Sequence, residues 1–302
     1  MPSFNRLQSA MEYLMTYGWA ILVIAVVLGV LYSLGIFSPS NFAPKAQPGS
    51  CQVFRPNGPG TDYELNLEGT CSGELPQYVA VFNGENSYVN ASTSNILSMG
   101  NSLTISVWIN PSFINPLKSY GLHNMVVYRG DGCACTINYA MQIDNATGLS
   151  FVKRTSAEGL QYYTFTVPSL LDVWSHVSVV VSGANVILYD NGVEDGIMQL
   201  NSQGIVANSG QGFAIGSIFT FNSVTNFNGS ITNVQIYDEA LSTNDVNALY
   251  QEGIGGAPIN LQYLAGWWPL NGNANDYSGN NNNGASTKVE YTGTWQSGYT
   301  PP

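Results

Sequence analysis

The sequence predicts a mainly β protein, an antiparallel β sandwich preceded by one long hydrophobic α-helix at the amino terminus. Three observations predict it. Residues 10–37 form an apolar run whose single charged side chain is Glu12. Beyond residue 50, short runs alternate apolar with polar residues and end in Gly- or Asn-rich turns, the period of half-buried strands. The chain is 44% hydrophobic but only 9% charged, so Asn, Ser, Thr, Gly and Tyr replace charge on its surface.

The 302 residues divide into four parts: a leader segment, 1–7; the hydrophobic helix, 8–37; a linker, 38–50; and a β body, 51–302. The body holds about 250 residues, enough for one large sandwich with its own core. The formal net charge is -11 with only 8 Lys plus Arg. A nucleic-acid partner is excluded, since a phosphate backbone calls for a basic face. Four cysteines, Cys51, Cys71, Cys133 and Cys135, make an even set beyond the apolar run, as in disulfide-bearing exported chains. Cys51 with Cys71 would close a moderate loop. Cys133 and Cys135 can bridge as a tight ring or stay reduced. Zinc would need more ligands than these with His123 and His176, the two histidines of the chain. Sequons begin at Asn90, Asn145 and Asn228, glycan acceptors where the chain is exported and the host glycosylates.

The run from Trp19 to Phe37 carries no charged group and, at about 1.5 Å per residue, spans most of a bilayer core. It is longer than the apolar stretch of a cleaved secretory signal. "QSAMEYLMTYGWAI", from Gln8 to Ile21, resembles the class III signal and head helix of archaeal type IV pilins. The resemblance covers about the first 37 residues. It implies that a prepilin peptidase cuts between Leu7 and Gln8, and that Glu12 then pairs with the new amine of Gln8 on a neighbouring identical subunit. A buried acid is tolerable when an opposite charge compensates it. The family usually has a small residue before the cut, where this chain has Leu7. Pro39, Pro44 and Pro48 bar continuation of the helix and mark the linker. Arg6 ahead of the helix places the remainder outside the cell.

In the body, "SLTISVWINP" puts Leu103, Ile105, Val107 and Ile109 on one face and Trp108 on the other. "HVSVVVSGANVILYDNGVE" reads as strand, turn, strand and an Asn191-Gly192 hairpin. "GQGFAIGSI" and "FNGSITNVQIYDEAL" give two further strands. "STNDVNALYQEGI" is a short helix capped by Ser242 or Thr243, with Val246, Leu249 and Tyr250 on its apolar side. Together with "YVAVFNGENSYV", these pieces resemble the laminin G-like, concanavalin A-like jelly roll over most of residues 78–252. "GWWPLNGNANDYSGNNNNG", residues 266–284, is similar to that family's opening strand and loop, yet stands at the end. Only 18 residues follow it, too few for a second sandwich, so a circular permutation in which 266–284 fills the first strand's slot is expected.

The resemblance implies a structural calcium held by Asp276, with Asn233 standing where many relatives have a second acid. Glycoside hydrolysis would require two facing carboxylates. Glu194 and Asp195 are adjacent and point apart on a strand, Asp238 and Glu239 end a strand, and His176 reads as a packed residue, so no enzymatic activity is expected. Tyr120, Tyr128, Tyr162, Tyr163 and Trp295 are aromatic candidates for stacking on surface glycans, each weighed against a place in the core. The expected protein is therefore a subunit of a pilus-like extracellular filament, lodged in the cytoplasmic membrane before the assembly machinery takes it up. Its lectin-like domain would serve adhesion. The alternatives are a membrane-anchored lectin that does not polymerise and a secreted glycoside hydrolase.

Overall fold

The computed structural model describes residue 17 and residues 20–30, 75–91, 93–116, 122–131, 137–155, 159–200, 205, 212–218 and 225–302. Leu7, Gln8, Glu12, the linker and all four cysteines lie outside the described residues. The amino-terminal segment contains α1, residues 20–30, whose side chains are exposed throughout. Among the described residues no helix is long and apolar enough to cross a membrane. The helix expected over 8–37 is thus described only in this part.

The body is an antiparallel sandwich of two sheets. Its strands are β1 (Val79–Asn83), β2 (Tyr88–Ala91), β3 (Ser102–Phe113), β4 (Met125–Gly130), β5 (Ile137–Asn145), β6 (Gly148–Thr155), β7 (Gly159–Thr166) and β8 (Ser175–Ser182). Then come β9 (Asn185–Asp190), β10 (Val193–Gln199), β11 (Gly212–Ile215), β12 (Asn228–Tyr237), α2 (Thr243–Gln251), β13 (Leu264–Trp268), β14 (Ala285–Thr287) and β15 (Glu290–Thr292). One sheet runs β10-β9-β8-β3-β12-β1-β15 with β13 also on β12; the other runs β14-β2-β11-β4-β5-β6-β7.

The alternation in β3 is realised. Leu103, Ile105, Val107 and Ile109 enter the core between the sheets, while Trp108 faces outward into a separate aromatic cluster. The Asn191-Gly192 turn joins β9 to β10 with both residues at positive φ, as the primed hairpin turns require. β12 is the central organiser. β3 takes one of its edges, and the other is shared end to end by β1, on residues 228–231, and β13, on residues 234–237. Between those stretches Asn233 adopts a left-handed φ of 51°, which Asn tolerates better than most residues. The register against β3 shifts there.

The remaining edge of β13 has no partner strand in the sheet order. Side chains of the Asn-rich loop that follows cover it. Asp276 accepts from Trp267 N, and Asn280 and Asn282 donate to the Leu264 and Ala265 carbonyls. Trp268 carries this region into the main core, stacking on Phe213 of the opposite sheet with centroids 4.7 Å apart. On the outer face of the eight-stranded sheet lies α2, with Ser242 and Asp245 forming a capping box and Val246 and Leu249 buried against Val180, Tyr189, Tyr237 and Trp267. Trp174 and Trp295 join Trp108 beside it, and the indole of Trp295 donates to Pro76 O.

Trp268→Ala should cost about 3–5 kcal/mol, as for other large buried aromatics. In urea unfolding followed by tryptophan fluorescence, a cost near zero would mean that residues 264–268 do not belong to the body's core.

Candidate functional site

α2 and the aromatic cluster cover one outer face; on the other, that of the seven-stranded sheet, the β4 to β6 residues are buried and the β7 edge is exposed at Tyr162 and Thr164. The residues of this second face fall into rows fixed by strand register. One row runs Tyr128–Ala140–Val152–Tyr162 across β4 to β7, and the next runs Met125–Gln142–Ser150–Thr164. Tyr128, Met125, Ala140 and Val152 form a buried apolar patch. Tyr162, on the edge strand β7, is 40% exposed.

Asp144 ties the polar row together. It sits where the β5–β6 register shifts between Ile143 and Asn145, the kind of irregularity that re-aims a side chain. Oδ1 accepts from Gln142 Nε2 at 2.9 Å and lies 3.2 Å from His123 Nε2. Oδ2 accepts from Ser150 Oγ and, at 3.1 Å, from Thr164 Oγ1. Burial alone would raise the carboxyl's pKa. The hydrogen bonds from His123, Ser150 and Gln142, with the nearby His123 ring, outweigh burial and hold it at about 2. Burial first and the Asp144 charge second raise the Tyr162 phenol, with Arg154 opposing them, so this phenol is a neutral O–H donor at physiological pH.

This arrangement can bind but has little means to hydrolyse. Asp144 is the one carboxylate of the cluster, and both of its oxygens are loaded with donors. No second acid faces it among the described contacts, as a glycosidase pair would. What it offers a ligand is the Tyr162 ring beside the Thr164 hydroxyl, held in a fixed direction by Asp144.

Asp144 escaped the sequence reading, although "MQID" alternates and so sets Gln142 and Asp144 on one face. Of the aromatic candidates, Tyr162 alone is exposed. Tyr128, Tyr163 and Trp295 are buried, and Tyr120 lies outside the described residues. His176 is packed as expected. Its ring contacts Trp108 and Tyr250, Nε2 lies 2.8 Å from Ser106 Oγ, and burial depresses its pKa to about 3. Glu194 and Asp195 lie on the exposed edge strand β10. Asn90 and Asn145 are exposed, and Asn228 is half-buried.

Asp276 and Asn233 do come near one residue, Trp267, but as hydrogen-bond acceptors. Asp276 is 2% exposed, and its carboxylate takes the N–H groups of Trp267, Ser278 and Asn282 at 2.8–3.0 Å. Asn233 Oδ1 takes Trp267 Nε1 and Gln235 Nε2. Only Asn282 Oδ1 is left buried without a donor, and one neutral oxygen does not make a calcium site. The described residues contain no cluster of three or more acidic, His or Cys ligands. As placed, this set does not fit calcium, and Asp276 serves the loop as an anchor.

Fold and face together define a lectin-like β sandwich. A family model described as the concanavalin A-like lectin/glucanases superfamily matches residues 83–247, and the chain belongs to that family. No curated protein sequence matches it. Among solved structures, it is similar to a candidate carbohydrate-binding protein from Bacteroides ovatus ATCC 8483, at 19% identity and a TM-score of 0.55. That match covers 72% of this chain and 60% of the other, so the chain spans less than two thirds of that relative. The CBM40 domain of the Ruminococcus gnavus IT-sialidase, solved with α2,3-sialyllactose, matches at 16% identity and a TM-score of 0.47, over 60% of this chain and all of that one. A SAP-like pentraxin from Limulus polyphemus matches at 20% identity and a TM-score of 0.44, over 60% and 84%. At these identities the likeness shows the fold alone.

Two outcomes test the site's electrostatics. Because Asp144 is more acidic folded than unfolded, its contribution is complete above about pH 4 and lost as pH falls through about 2. Asp144→Asn should therefore flatten the loss of stability between those values in acid-unfolding curves, and an unchanged acid limb would contradict the assignment. Asp276→Ala should destabilise by about 3 kcal/mol, since it strands three N–H groups, and added calcium or chelator should leave the melting temperature of the parent protein where it was.

Proposed function

We propose that this protein binds glycans at the cell surface, with its β body displayed on an archaeal type IV pilus-like filament. The observation that carries the binding role is the exposed β7 edge of the seven-stranded sheet's outer face, where Tyr162 and Thr164 reach solvent. There Tyr162 stands beside Thr164, and Asp144, with the buried Ser150 behind it, fixes the direction of the Thr164 hydroxyl. A sugar ring can stack its C–H face on the phenol while one of its hydroxyls meets Thr164, the mixture of apolar surface and few directed polar groups that small-ligand sites share. The relative from Bacteroides ovatus, described as a candidate carbohydrate-binding protein, supports the same reading by fold.

The filament role rests on the head segment. α1 is apolar on every side, with Ile21, Leu22, Ile24, Val27 and Leu28 about half exposed or more. Such a helix has no face suited to water and belongs in lipid or among other helices. Prepilin peptidase would release Gln8 from Leu7. Subunits would wait in the membrane, and Glu12 would steer assembly by pairing with the Gln8 amine of a neighbour.

In binding to immobilised oligosaccharides, Tyr162→Ala should weaken the retained glycan by about tenfold or more, the scale of a lost aromatic anchor. Equal binding by the variant would remove the face from consideration. Surface fibres should yield a subunit that begins at Gln8, and cells carrying Glu12→Ala should lack fibres. A subunit still beginning at Met1 or Pro2 would overturn the filament reading.

A further inference from the structure

The three sequons sit in different surroundings. Asn90 is exposed but central in β2, opposite Ala214 on one side and Ala285 on the other, so its backbone is committed to the sheet along both edges. Asn228 opens β12 between Asn83 and Phe113. It is half-buried, and its side chain lies against Gly84, where even a Cβ would come within 2.7 Å of Nδ2.

Asn145 differs on both counts. It ends β5 in the tight turn to β6 and is exposed. The sequon folds onto itself, with Oδ1 accepting from Thr147 N at 2.9 Å and from Thr147 Oγ1 at 3.2 Å. The turn is steadied from outside, since Ala146 O accepts from Leu170 N and Thr147 O from Val167 N. With the carbonyl side of the amide held, Nδ2 has no hydrogen-bond partner among the described residues. It stands over Gly148, where an added Cβ would come within 3.0 Å of it.

We propose that Asn145 is N-glycosylated and that Asn90 and Asn228 are left bare. The inference rests on the export proposed above. The reaction takes a sugar carried on a lipid phosphate. Nδ2 attacks the anomeric carbon and the bond from that carbon to the phosphate oxygen breaks. The electron pair leaves with the phosphate, which gains the proton that Nδ2 loses. One glycan thus replaces one amide hydrogen, in a position adjacent to Asp144 at the rim of the polar row.

The test uses protein from native cells, with export checked separately by protease treatment of intact cells. Peptide mass spectrometry should find the Asn145 peptide heavier by a glycan and the Asn90 and Asn228 peptides at plain mass. Asn145→Gln and Thr147→Ala should each abolish the added mass, and Thr147→Ser should retain it. An exported chain with plain Asn145, or with a glycan on Asn90 or Asn228, overturns this proposal alone. A chain that protease cannot reach and that carries no glycan brings down the export reading with it.

Discussion

A two-sheet sandwich has four faces, and two of them must be spent on each other to bury apolar area. What covers the other two decides where anything can bind. Here α2 and the aromatic cluster of Trp108, Trp174 and Trp295 close the outer face of the eight-stranded sheet. That closure consumes the residues that would otherwise look chemical, His176 and Ser106 among them. The opposite outer face is buried over β4 to β6 as well, but its β7 edge stays exposed at Tyr162 and Thr164, and the functional reading follows from that edge.

On that face the cost of partly burying a carboxylate is met by donors from four places in the chain. His123 precedes β4, Gln142 shares β5 with Asp144, Ser150 comes from β6 and Thr164 from β7. The acid is thereby fixed as an anion and the hydroxyls are fixed in direction. A site ordered before its ligand arrives loses less freedom on binding. The same saturation argues against chemistry, because an oxygen already accepting two hydrogen bonds is a poor base or nucleophile. Asp276 follows the same logic elsewhere. It was expected to hold a cation, and in the structure it caps the bare edge of β13 with hydrogen bonds.

Much of the fold was legible in the chain because strand alternation and turn chemistry are local. β3, the β8–β9–β10 meander and α2 with its Ser242 cap could all be read from neighbouring residues. The sharing of one β12 edge by β1 and β13 could not, since it depends on a left-handed Asn233 and on β1, some 150 residues before β12 in sequence. The site was harder still. Asp144 gains its meaning from residues up to 21 positions away, and nothing local separates "QID" from an ordinary strand. Aromatic content alone misled, because Tyr128, Tyr163 and Trp295 serve burial while, of the described candidates, Tyr162 alone reaches solvent.

The central claim is that the outer face of the seven-stranded sheet receives the glycan. Hydrogen–deuterium exchange on the exported body, with and without an oligosaccharide that it retains, tests this most directly. The account predicts slowed exchange in β6, β7 and the turn after Asp144, with α2 and the segment around Trp295 unchanged. Protection confined to α2 or the carboxyl-terminal segment, with β6 and β7 indifferent to the sugar, would contradict it.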